Sequence, residues 1–175
     1  MRVVITKESS PIALGGAARL DLREDPGSVA SIDAARQHPA LRGLLLNLNE
    51  DESPFETLGC KVWTTTGDTA AEPHVFASRV DLVLSGRPDQ AGETHYDDLA
   101  RRLAELLERE PGDALRAELR IAPARFVGGR QGFCLRLILF AQAAAAEQAR
   151  LRWTLGIARV QQALLFLARA IRQNR

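Results

Sequence analysis

From Leu115 to Ile121 the chain alternates, with apolar Leu115, Ala117, Leu119 and Ile121 separated by charged Arg116, Glu118 and Arg120. A period of two over this length predicts a half-buried strand. The pattern resumes at Phe133, Leu135, Leu137 and Leu139, interleaved with Cys134, Arg136, Ile138 and Phe140. If the two runs pair as a hairpin, a register in which paired numbers sum to 257 sets Ile121 beside Arg136. Sums of 256 or 258 bring the apolar sets together. Gly128-Gly129 and Gly132 lie between the runs, and the turn is therefore expected to hold an odd number of residues, with a glycine in the left-handed conformation. The second face, with Cys134, Ile138 and Phe140, is too apolar for open water, and a second copy or the N-terminal helices are expected to cover it.

Upstream, residues 60–66 and 74–84 carry the same period. The first holds Val62, Trp63 and three threonines, all β-favouring. In the second, Phe76, Val80, Leu82 and Leu84 face one way and Arg79 and Asp81 the other. A short polar loop between them predicts a second hairpin. The period then lengthens. Tyr96, Leu99, Leu103, Leu106 and Leu107 lie on one side of a helix that Thr94 is placed to cap, with Asp97 three residues on and Pro111-Gly112 as the stop. Near the chain's end, Trp153, Ile157, Val160, Leu164, Leu167 and Ile171 fall at gaps of 4, 3, 4, 3 and 4, the stripe of one long helix over 143–175. Such a helix runs for about 45 Å at 1.5 Å per residue. Its stripe must lie on the chain's own sheet, on another copy or on a partner, so these six residues are candidate interface residues together with Ile138 and Phe140.

The first 50 residues are less periodic. Arg2–Lys7 reads as a strand and Arg19–Arg23 as another. Asp25-Pro26-Gly27 signals a turn, Ser28 is a candidate cap for a helix over 29–37, and His38-Pro39 ends it. Residues 40–48 read as a second short helix before the acidic loop 49–54. From residue 60 the order is β, β, α, β, β, α. The fold class is α+β: a mostly antiparallel sheet, of two hairpins plus N-terminal strands, packed against a central helix and a long C-terminal helix. The whole of 1–175 reads as one domain, with 1–50 its least constrained, peripheral part.

Composition changes this picture little. The chain has 175 residues, 46% hydrophobic and 26% charged, ordinary for a globular protein able to bury a core. No apolar run reaches the 18 residues of a membrane span, and the start lacks a signal-peptide pattern. Two cysteines, Cys60 and Cys134, are too few for a disulfide framework, which points to a reduced, cytoplasmic setting. Charge is more informative. Residues 1–100 hold 9 basic and 16 acidic side chains; residues 101–175 hold 14 and 6. Halves of opposite sign neutralise one another when packed together, and the excess of Arg and Ala over Lys fits a GC-rich bacterial genome. The sharper reading is a basic face for an acidic partner or nucleic acid.

The chain lacks the parts for most chemistry. Three histidines with no CxxC or HExxH spacing provide no metal site, and the glycine pairs match no phosphate-binding loop, so no cofactor is implied. The weak catalytic candidates are His74, Asp81, His95 and Cys60, which would have to meet in a pocket to serve a small-molecule enzyme. Each has a plainer explanation: strand or helix ends for the histidines, a buried thiol for Cys60, and a cross-strand ion pair for Asp81, which shares its face with Arg79. Arg116, Arg120, Arg125, Arg130 and Arg136 near Phe126 and Phe140 permit single-stranded nucleic-acid binding. The expectation that remains is a non-catalytic binding or assembly module, homo-oligomeric or bound to a protein partner, acting through its sheet face and long helix.

Overall fold

A computed structural model describes residues 1–14, 21–67, 69–85, 91–109 and 114–173. The strands are β1 (Arg2–Lys7), β2 (Ile12–Ala13), β3 (Phe55–Thr66), β4 (His74–Leu84), β5 (Leu115–Arg125) and β6 (Gln131–Ala143). The helices are α1 (Asp33–Gln37), α2 (Pro39–Leu48), α3 (Glu93–Glu108) and α4 (Ala146–Gln173). The strands form one sheet in the order β1-β5-β6-β4-β3, with β2 beside β5 on the β1 edge. All pairs are antiparallel except those of β1 and β2 with β5. This is a mixed α+β fold with helices on one side of a mostly antiparallel sheet.

The β5–β6 hairpin obeys the alternation. Leu115 faces Ala141 and Arg125 faces Gln131, so paired numbers sum to 256. Phe126–Arg130 makes the turn, closed by Phe126 N–H to Arg130 O at 2.8 Å. Gly128 and Gly129 both take the left-handed conformation, φ 79° and 78°, where a side chain would be strained. Leu115, Ala117, Leu119 and Ile121 of β5 and Leu135, Leu137, Leu139 and Ala141 of β6 then share the helix side, in one core cluster reaching from Met1 to Ala168.

Helix α4 lies along that side. Trp153, Ile157, Val160, Leu164 and Leu167 are all buried there, and Ile171 is half-buried. Where the helix crosses the sheet, Gly156 lets the backbones approach: a Cβ at this position would lie 2.9 Å from Leu139 Cδ2 and 3.1 Å from Leu115 Cδ2. The stripe offered as an interface residue set is thus occupied by the chain's own sheet. The large apolar side chains left outward on α4 are Leu151, Leu155 and Phe166. Despite its 28 residues, α4 carries too many charges to cross a membrane, and no described helix is long and apolar enough to do so.

The N-terminal region differs from the expectation in detail. Residues 21–24 form a turn, not a strand, and 15–20 lie outside the described residues. A 3-10 helix over Pro26–Ser31 precedes α1, because proline pre-sets the first helical position. Ser28 is therefore inside it, its hydroxyl donating to Asp25 O at 2.7 Å, and it caps nothing downstream. Thr94 likewise does not cap α3: the helix begins at Glu93 behind Gly92, with no side-chain cap. Asp97 turns instead to Arg101, 2.8 Å away.

Asn49 joins α2 to β3. Its side chain is buried, donates to Leu45 O (2.7 Å) and Thr57 Oγ1 (2.6 Å), and accepts from Thr57 N–H (3.0 Å). An Asn49→Ala variant strands buried donors and acceptors, so we expect a loss of about 1–3 kcal/mol, read as a lower urea midpoint with unchanged slope.

Candidate binding surface

The side chains of the sheet that point away from the helices form the most chemically distinctive surface. At one end a small cluster of Leu14, Val83, Ala122, Ala124, Phe126 and Cys134 closes the face, and it contains no helical residue. No described helix packs on the rest. Within one chain Cys134 thus packs in this cluster with Leu14 and Phe126, not under an N-terminal helix.

Across the middle runs a chain of ion pairs. Arg136 on β6 donates to Asp81 on β4 through Nε at 2.7 Å and Nη2 at 3.4 Å. Arg79 Nε lies 3.4 Å from the same carboxylate but is not aligned as a hydrogen bond, so it contributes charge alone. On β5, Arg120 Nε donates to Glu118 at 3.0 Å, Arg116 pairs with the other oxygen of Glu118, and Glu8 takes Arg120 at 3.3 Å. Asp81 and Glu118 are only 2% and 7% exposed. The arginines lie over the carboxylates and cover them, which is how charge sits in the middle of an apolar sheet. The cross-strand ion pair expected of Asp81 is present, with Arg136 as its partner, and Arg79 adds its charge from the same strand.

At the far end the surface turns aromatic. Trp63 on β3 meets Phe140 on β6 edge-on, ring centroids 6.2 Å apart. The Arg116 guanidinium stands 5.2 Å above the Phe140 ring, a cation–π distance. Beside them a cleft of about 440 Å³ is lined by Arg2, Thr65, Val75, Arg116, Phe140 and Gln142. Both rings are half-buried, with Lys61, Arg2 and Arg116 exposed around them.

The other sequence candidates are scattered. His74 opens β4 and borders a cleft of about 650 Å³ with Thr64, Thr66 and Arg150. His95 is in the first turn of α3, whose Glu93 contacts Lys7 at the opposite end of the sheet. Asp81 is mid-strand on the open face, while Cys60 points to the helix side and packs against the main core. Burial pushes the Cys60 thiol up to about 11 and the Cys134 thiol up to about 12, so neither is a thiolate at neutral pH. No group of three or more metal-ligating side chains occurs among the described residues.

The unforeseen histidine is His38. It stands edge-on to Phe76 (5.4 Å) and Trp153 (5.2 Å), between α1 and α2. Burial lowers its pKa from the ordinary 6.5, and the Arg150 charge lowers it further. A depressed folded pKa means that the folded state favours neutral imidazole. The contribution is fully present above about pH 6.5 and is lost as pH falls through the folded value. We expect the urea midpoint to drop between pH 7 and 5, with a shallower drop in His38→Leu; equal drops in both would assign the acid sensitivity elsewhere. Only the His38-Pro39 helix stop was visible in sequence, since the ring's neighbours come from distant segments.

Comparison with protein-family models, with curated proteins and with solved structures finds no match for this chain.

Proposed function

We propose that this chain is a non-catalytic binding or assembly protein whose working surface is the open face of its sheet. The observation that carries the reading is the Trp63–Phe140 pair with Arg116 above it, half-buried and left without a covering helix. Aromatic side chains and arginine are the residues that anchor protein contacts. The ion-pair belt beside them is largely neutralised, so it fixes the shape of the face and leaves the aromatic end to do the binding. Helix α4 contributes its outer side, Leu151, Leu155 and Phe166, in place of the stripe now packed inside. A partner protein or a second copy is the occupant in this reading, and two free thiols on opposite sides of the sheet fit a reduced, cytoplasmic setting.

The test is site-specific photo-crosslinking in cells. A photoreactive residue at Arg116 is expected to yield adducts of discrete mass, and the same residue at exposed Arg102 on α3 none. Adding Phe140→Ser should abolish the Arg116 adducts without unfolding the chain. Adducts that ignore Phe140→Ser would remove the open face from the reading.

A second reading is single-stranded nucleic acid, favoured by stacking rings beside Arg116, Arg2 and Lys61. Asp81, Glu118 and Glu8 oppose it. Oligo-dT should then quench tryptophan fluorescence at low salt and release steeply as salt rises; no quenching at low salt eliminates it.

A further inference from the structure

We propose that two copies of this chain pair through β3, edge to edge and antiparallel, about a two-fold axis at Trp63. This rests on the assembly reading above and names its partner and its contact.

Among the described residues, strand β3 is the outer strand of the sheet and pairs only with β4. Which of its backbone groups point outward follows from the hairpin. Gly67 N–H donates to Pro73 O at 2.8 Å, and bonded and non-bonded pairs alternate along an antiparallel ladder. Thr65, Trp63 and Lys61, opposite Val75, Ala77 and Arg79, therefore bond inward. Cys60, Val62, Thr64 and Thr66 turn their N–H and C=O groups outward, and no other bond reaches them among the described residues.

The free stretch has a stop at each end. On the N-terminal side the outward groups are taken: Arg23 Nη2 donates to Phe55 O at 2.8 Å, and Thr57 N–H donates to Asn49 Oδ1 at 3.0 Å. The register also slips between Thr57 and Gly59. On the other side the strand ends at Thr66 and turns back at Gly67. What remains open is residues 60–66, with Trp63 at the midpoint.

A stretch bounded in this way is complementary to itself. Run antiparallel to its copy with paired numbers summing to 126, it sets Cys60 against Thr66 and Val62 against Thr64. Every outward residue thereby exchanges two bonds with another outward residue. Shifting the register by two wastes part of this. A sum of 124 sends Thr66 to the bulge at Leu58, and 128 sends Cys60 past the end of the strand. Lysine on an edge strand normally blocks such pairing, and a sum of 122 would oppose Lys61 to Lys61. At 126 it faces Thr65, so this lysine selects the register and does not forbid it.

The side chains agree. Trp63 would meet its own copy in the close, non-bonded pairing, flanked on each side by a Phe140 6.2 Å away, making one four-ring cluster on a doubled open face. On the helix side the partner's Cys60 and Val62 would stand beside the 650 Å³ cleft bordered by Thr64 and Thr66.

The test begins with sedimentation of the full chain, expected at twice the 19.2 kDa of one copy. Thr64→Pro removes an N–H that β4 does not use. It should weaken the dimer at least tenfold while leaving the thermal melt of the monomer in place. In a background with Cys60 and Cys134 changed to serine, Lys61→Cys mixed with Thr65→Cys should form a disulfide-linked pair, and neither should link alone. A strict monomer overturns the proposal, as does a dimer indifferent to Thr64→Pro that gives no mixed disulfide. Either result leaves the Arg116 crosslinking experiment standing. Conversely, loss of that signal with the mixed disulfide intact would overturn the binding reading and keep the dimer.

Discussion

Asp81→Ala is expected to lower stability by about 3–5 kcal/mol, the cost of leaving a buried charge without its partner. The side chains of Asp81 and Arg136 are 2% and 15% exposed. Removing the carboxylate leaves the mostly buried Arg136 beside the Arg79 charge, with Glu8, 3.9 Å away, as its remaining acid among the described residues. By contrast Lys7 and Glu93, 57% and 42% exposed, form a surface pair that water screens, and Glu93→Gln should hardly move the urea midpoint. The size of the Asp81 effect comes from the stranded partner. The double variant Asp81→Leu with Arg136→Met should therefore recover most of the loss, since apolar replacements of a buried ion pair are often neutral or better. A double variant as unstable as Asp81→Ala would mean that the charges hold the sheet in a way that packing does not replace.

Trp153→Ala is the second large effect, also about 3–5 kcal/mol, because it empties the largest buried side chain of the core. Trp153 does more than fill space. Its Nε1–H donates to Ser78 Oγ at 2.9 Å, and its ring lies 4.9 Å from Phe76 and 5.2 Å from His38. One residue thus ties α4 to β4 and to the α1–α2 corner. Trp153→Phe keeps most of the volume and loses only the bond to a fully buried hydroxyl, so about 1–3 kcal/mol is expected. Urea unfolding of the two variants separates the terms: near-equal losses would show that the Ser78 bond dominates over the cavity.

Local periodicity made much of this legible. Alternation in 115–121 and 133–140 set the faces of two strands, and the requirement that like faces meet set the parity of their turn before any contact was known. The α4 stripe was equally clear, but a stripe records that one side of a helix is buried and not what buries it. That is why Trp153 to Leu167 also fitted contact with another molecule. The β1–β5 pairing left no mark, because Arg2 and Arg116 are too far apart in sequence for any window to join them. The ion-pair belt was half visible. Glu118 stood out only as one charge among Arg116 and Arg120 in the alternating run, and the structure shows it as the anion that both of them bond. His74, Asp81, His95 and Cys60 were chosen for their chemistry, and strand direction then carried them to different ends and sides of the sheet.

The place of β1 has a consequence for synthesis on the ribosome. Strand β1 can find its ladder only after residues 115–121 have left the exit tunnel. The greasy side of that sheet then waits for α4, which is translated after every described strand. A nascent chain stopped short of residue 146 would leave Leu115 and Leu139 without the helix that meets them at Gly156, so α4 decides whether the growing polypeptide stays out of aggregates.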